Sequence, residues 1–223
     1  MARRSRSRSQ SNTYLQPDSD GNDGTQTGSG SPILEVLVIF VLVFVIQGIT
    51  YAVGVMGGLF VLRPPLSTDP WTIVTSVYAH DGLGHLVSNS LSLIVFGWPV
   101  ARATTRLRFH VFVAITGAIA GVAQIVLTGL LAAMPFVPIA PTAGVLGASG
   151  AVFALLGYLV ASNRLSSGLA SFVDVPQWVS ILVIVGLATA VTLATASPGV
   201  ALIAHFAGFL VGVVAGRARV LAV

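Results

Sequence analysis

Six apolar stretches constrain this chain more than any other feature it has. From Ile33 it is apolar almost without interruption to Leu62, and further stretches lie near 83–100, 109–133, 147–162, 177–196 and 199–216. A helix needs about 20 residues to cross the hydrocarbon core of a bilayer. The first run exceeds that, so it is expected to leave the membrane near Gly57-Gly58. The second, fourth and sixth stretches are short or glycine-rich, and the span count rests partly on the loops between them. With 55% hydrophobic and 8% charged residues, the composition is that of a polytopic membrane protein. The expected fold class is all-α, a six-transmembrane-helix bundle over residues 33–223.

Residues 1–32 are polar, with almost nothing to bury, and are expected to form a disordered cytoplasmic tail. The run Arg3-Arg4-Ser5-Arg6-Ser7-Arg8 reads as a charged segment ahead of a membrane span, not as a nucleic-acid-binding arm. More than twenty polar residues separate it from the first apolar run, which argues against a cleaved signal peptide. The chain has eleven arginines and no lysine. With the N-terminus inside, Arg3, Arg4, Arg6, Arg8, Arg102, Arg106, Arg108, Arg164, Arg217 and Arg219 all fall on the cytoplasmic side, and only Arg63 falls outside. That asymmetry predicts cytoplasmic termini, and the expected location is a prokaryotic plasma membrane, as a multi-pass protein. The absence of cysteine excludes thiolate chemistry, and leaves the redox compartment unread.

Polar residues inside such spans are costly and are functional candidates by default. With six spans, the second, fourth and sixth run inward, and His85, Asn89, Ser149 and His205 all lie a few residues into them. At a rise of 1.5 Å per residue all four belong to roughly the outer third of the bilayer. Taken singly, a membrane Ser bonds a carbonyl one turn back, and His and Asn bridge helices. Together they make a nucleophile, Ser149, a base, His205, and two donors, His85 and Asn89, on one helix face. His80 precedes that face and reads as structural, holding the loop by hydrogen bonds. Gly208, Gly212 and Gly216 below His205, and Gly150, Ala154, Gly157 and Ala161 beside Ser149, form rows along which two helices could pack backbone to backbone. That packing could bring His205 within hydrogen-bond reach of Ser149.

The pattern resembles the rhomboid family of intramembrane serine proteases over about residues 33–216. It is carried by His80-x4-His85-x3-Asn89, Gly147-Ala148-Ser149-Gly150 and His205-x2-Gly208-x3-Gly212, in order and in the matching spans. The resemblance implies a Ser149–His205 dyad, with the oxyanion held by His85, Asn89 and the Ser149 backbone N–H. It also implies single-span membrane proteins as substrates, cleaved near the outer surface after they come in from the lipid side. Two positions depart from the family pattern. Trp71-Thr72 stands where the loop usually carries Trp-Arg, and Phe153 stands where a tyrosine usually packs against the histidine.

Three function classes follow. An intramembrane serine endopeptidase leads; an inactive relative that binds membrane helices is the alternative, and a transporter or channel is a third. The transporter fits least, because the polar groups gather near one face instead of lining a path across. An α/β-hydrolase elbow would need glycine at position 151, where Ala151 stands. No carboxylate is expected to complete a triad, since Glu35, Asp81 and Asp174 are all misplaced for it. The histidines lack zinc-helix spacing, so neither a metal nor another cofactor is expected. The expected partners are transmembrane substrates and the bilayer, with no nucleic acid; the oligomeric state is not legible.

Overall fold

In the computed structural model, which describes residues 31–162, 177–196 and 199–221, the first apolar run becomes helix α1, Pro32–Ala52. Pro32 suits the first turn, where its missing N–H would have had no partner. Ile33, Val36, Phe40 and Gln47 form the buried face, while Leu34, Val38, Val41, Leu42, Val45 and Ile49 are exposed, as side chains solvated by lipid are. The helix ends before the expected Gly57-Gly58. Gly54, with φ of 77°, closes it by a Schellman turn in which Val55 N–H reaches Thr50 O and Gly54 N–H reaches Tyr51 O. Hydropathy misses this stop because the chain beyond it stays apolar through a short second helix, α2, Met56–Phe60.

The connection to the next span holds another short helix, α3, Thr72–Tyr78, within the expected loop. It is tied down closely. Trp71 Nε1 donates to Gly58 O at 2.8 Å, Thr75 Oγ1 to Leu59 O at 2.5 Å, and buried Thr72 to Asp69 O at 2.6 Å. An arginine is still present in this network, because Arg63 reaches Asp69 at 3.7 Å. Anchoring of the loop therefore does not depend on an arginine at position 72.

Four more helices follow the loop closely along the expected stretches: α4, Leu83–Ala101; α5, Arg106–Ala132; α6, Ser149–Ser162; and α7, Gln177–Ala194. The last helix is α8, Leu202–Arg217. Among the described residues the only strand-like pairing is one bridge, Leu62 with Val145. Residues 1–30 of the tail, with its arginine run, and the segment 163–176, with Arg164 and Asp174, lie outside the described residues, while Pro32, assigned to the tail, begins α1.

Three helices, α1, α4 and α5, are long and apolar enough to cross a membrane, and α6, α7 and α8 are shorter apolar helices. The 14 residues of α6 rise only about 21 Å, against about 30 Å of hydrocarbon. The chain ahead of α6 is irregular, and irregular backbone at membrane depth is tolerated where protein encloses it or where it lines a wet cavity.

Helix α6 is central and packs on α4, α5 and α8, whereas the close backbone approach of α7 is to α8. A core of Phe40, Leu93, Phe109, Phe112, Leu155 and Tyr158 joins α1, α4, α5 and α6. A smaller one of Phe153, Ala188, Phe209 and Val213 joins α6, α7 and α8. The closest approach is between α6 and α8. A Cβ on Gly208 would overlap the carbonyl oxygen of Gly150, one on Gly212 that of Ala154, and one on Gly157 that of Phe209. At the opposite end of the bundle Glu35 pairs with Arg106 and lies 2.8 Å from His110 Nε2. This clamps α1 to α5, far from the end where α6 and α8 begin.

Candidate active site

Ser149 is the first residue of α6, and the backbone before it explains how it gets there. Gly147 has φ of 128°, a conformation that L side chains rarely adopt, and its N–H is fixed to Ser76 O at 2.8 Å. A side chain at Gly147 would also collide with the imidazole of His85, whose Nε2 lies 2.8 Å from where that Cβ would stand. Glycine at 147 thus turns the chain into α6 and admits a histidine from α4 to the same spot. The Ser149 N–H belongs to the first turn of α6, where an α-helix supplies no internal acceptor.

His85 and Asn89 reach this point from one face of α4. Nδ1 of His85 accepts the backbone N–H of Asp81 at 3.2 Å. In the neutral ring the proton is then on Nε2, which makes that nitrogen a donor toward Gly147 and Ser149. Asn89 is buried, and its Nδ2 has no partner among the described residues. It lies 3.9 Å from the same reference point at Gly147. A buried donor with no protein partner is rare, and it is open to an oxygen acceptor entering the cavity, water or substrate alike.

His205 stands in the first turn of α8. Its ring stacks on Phe153 of α6, with centroids 4.2 Å apart and planes at 19°. A phenyl ring suffices for this contact, so the missing tyrosine hydroxyl does not disturb it. Nδ1 of His205 lies 3.1 Å from Thr195 Oγ1. The hydrogen bonds of the described residues do not include one between Ser149 Oγ and His205. Such bonds are often long in the absence of substrate. Ser149, His205, His85, Asn89, His80 and Phe153 nevertheless line one open cavity of about 1510 Å³. Gly150, Gly208 and Gly212 do not line it; they lie in the α6–α8 seam that holds its two sides together.

His80 differs from expectation in how it holds the loop. Its ring has no hydrogen-bond partner at ordinary geometry among the described residues, only a weaker contact with the Tyr78 backbone. The ring packs edge-on against Phe40 at 4.7 Å and His85 at 5.3 Å. The hydrogen bonds come from its backbone, with His80 N–H donating to Gln47 Oε1 at 2.9 Å and Gln47 Nε2 to His80 O at 3.3 Å. A ring flanked by two others is secured by packing, so the chain around it carries the polar contacts.

Three residues with a part in this architecture escaped the sequence reading: Gln47, Gln124 and Thr195. The glutamines carried a usable signal, because each is a lone amide in a long apolar run. Gln124 of α5 accepts the Ala204 N–H at 3.0 Å and donates to Thr142 Oγ1 at 2.9 Å. It thereby caps α8 one residue before His205 and steadies the segment leading to Ser149. Gln124→Leu strands the Ala204 N–H and is expected to cost about 1–3 kcal/mol. Thermal unfolding in micelles measures it; an unchanged midpoint would contradict this role.

Among the described residues no group of His, Cys, Asp and Glu could hold a metal ion. The geometry offers a hydroxyl, a ring nitrogen and converging donors in a cavity within an apolar bundle, which suits acyl transfer. A family profile described as Rhomboid domain matches residues 67–221. No curated protein matches the chain.

Proposed function

The chain belongs to the rhomboid family, and from that premise we propose that it is an intramembrane serine endopeptidase working through a Ser149–His205 dyad. The family is typically one of intramembrane serine proteases, and this chain is an integral membrane protein of apolar helices. One observation carries the proposal. Ser149, His205, His85 and Asn89 come from three helices to one cavity, and the donors of His85 and Asn89 converge beside Ser149.

In the proposed reaction Ser149 Oγ attacks the scissile carbonyl while Nε2 of His205 takes its proton. The oxyanion that forms accepts hydrogen bonds from His85 Nε2–H, Asn89 Nδ2–H and the Ser149 N–H. Collapse breaks the C–N bond as His205 returns the proton to the leaving amine. Water, activated by the same nitrogen, then hydrolyses the acyl-enzyme and frees Ser149.

The substrates we propose are single-span membrane proteins. A helix hides its carbonyls in its own hydrogen bonds, so one near the cavity must unwind first, which glycine or proline eases. Access from the lipid fits the space between α4 and α7, whose backbones make no close approach among the described residues. Cytoplasmic termini, as the arginine distribution suggests, would set the cavity toward the outer surface, where water can enter.

Cleavage of a reporter transmembrane substrate in proteoliposomes tests the proposal. The native chain should cut it, and Ser149→Ala should bind it without cutting; a native chain that binds and never cuts indicates an inactive helix binder instead. The pH dependence follows from the role of His205. Only the neutral imidazole accepts a proton, so the rate should rise with pH as His205 deprotonates and then level off. A flat rate from acid to neutral pH would contradict that role.

A further inference from the structure

The stacking of Phe153 on His205 fixes the plane of the imidazole but not its chemistry, because the stack is the same whichever ring nitrogen carries the proton. Another group must select the tautomer, and no described carboxylate is hydrogen-bonded to His205. Thr195, one residue past the end of α7, is at the right place, with Oγ1 3.1 Å from Nδ1. A hydroxyl carries one proton. That of Thr195 has an acceptor in its own chain, the carbonyl oxygen of Thr192 at 2.9 Å. Its lone pairs then face the ring, Nδ1 is the protonated nitrogen, and Nε2 is left bare toward the cavity. A base acting on Ser149 needs this tautomer, since the other would present an N–H to the hydroxyl.

We propose that Thr195 is a positioning residue that holds His205 in its Nδ1–H tautomer, and so takes the part a carboxylate plays in a triad. The proposal rests on the reading of Ser149 and His205 as a dyad. Because the close backbone approach of α7 is to α8, this bond also ties the end of α7 to the site.

The test uses the full chain in micelles with ¹⁵N-labelled histidine, the His205 signals being those that vanish in His205→Gln, together with cleavage kinetics on the reporter substrate. Thr195 is exposed and valine keeps its shape, so Thr195→Val should fold, with its melting point lowered only slightly by the lost bonds. In the native protein the His205 proton should sit on Nδ1. Thr195→Val should shift it toward Nε2 and lower kcat at least about tenfold with KM little changed, and Thr195→Ser should restore both. A tautomer that ignores Thr195→Val, or a loss that serine does not reverse, overturns the proposal. The two readings fail separately. A tautomer that responds in a chain that never cleaves supports Thr195 and counts against the protease, while cleavage with an unresponsive tautomer does the reverse.

Discussion

Ser149→Ala and His205→Ala are each expected to lower cleavage of a transmembrane substrate by at least about 10⁴-fold, with the double variant no worse than either single one. The size follows from the chemistry, since without the hydroxyl no acyl-enzyme forms and without the imidazole nothing accepts its proton. The lack of additivity is the more specific outcome. Two groups acting in one proton transfer fail together, whereas two that merely shape a binding site would lose activity in proportion. His85→Ala and Asn89→Ala should fall between, at about 2.7–4 kcal/mol of transition-state stabilisation each, with KM little changed. Initial rates in proteoliposomes measure all of these. A double variant far worse than Ser149→Ala would contradict the dyad.

Gly212→Ala is expected to destabilise the folded chain by about 3 kcal/mol, although it adds a single methyl group. The added Cβ would fall on the backbone carbonyl of Ala154, and backbone cannot rotate away as a side chain can. Helices α6 and α8 must then separate, and Ser149 and His205 sit at the tops of those helices. Activity should fall along with stability. Gly186→Ala in α7 is the control, because nothing lies within 4 Å of its added Cβ. Unfolding midpoints in one detergent compare the two variants; equal midpoints would show that the seam is looser than its geometry implies.

Much of this arrangement was legible because lipid makes polar residues conspicuous. His85, Asn89, Ser149 and His205 each interrupt an apolar stretch, and the alternation of spans brings their ends to one side of the bundle. The glycine rows were legible for a related reason, since small residues repeating along a helix face have few uses except close packing. The end of α1 was not, because the chain stays apolar past Gly54 into α2 and hydropathy cannot tell a span from an apolar helix beyond it. Gln124 was visible as a lone amide, but its partners, Ala204 and Thr142, become neighbours only through the fold. Thr195 was hidden more thoroughly. Threonines in apolar helices usually bond their own backbone, as Thr116 does to Phe112 O and Thr189 to Val185 O. Nothing local sets Thr195 apart until His205 is beside it. His80 shows the converse, a motif histidine whose ring turned out to pack and whose backbone turned out to bond.

Everything proposed for the site depends on Ser149 being a nucleophile activated by His205. Labelling the full chain in micelles with a fluorophosphonate and mapping the adduct by mass spectrometry tests it most directly, because the reagent needs an activated serine and no knowledge of the natural substrate. An adduct is expected on Ser149, absent in Ser149→Ala and lost or greatly slowed in His205→Ala. An adduct on another residue, or labelling of Ser149 that is indifferent to His205→Ala, would contradict it.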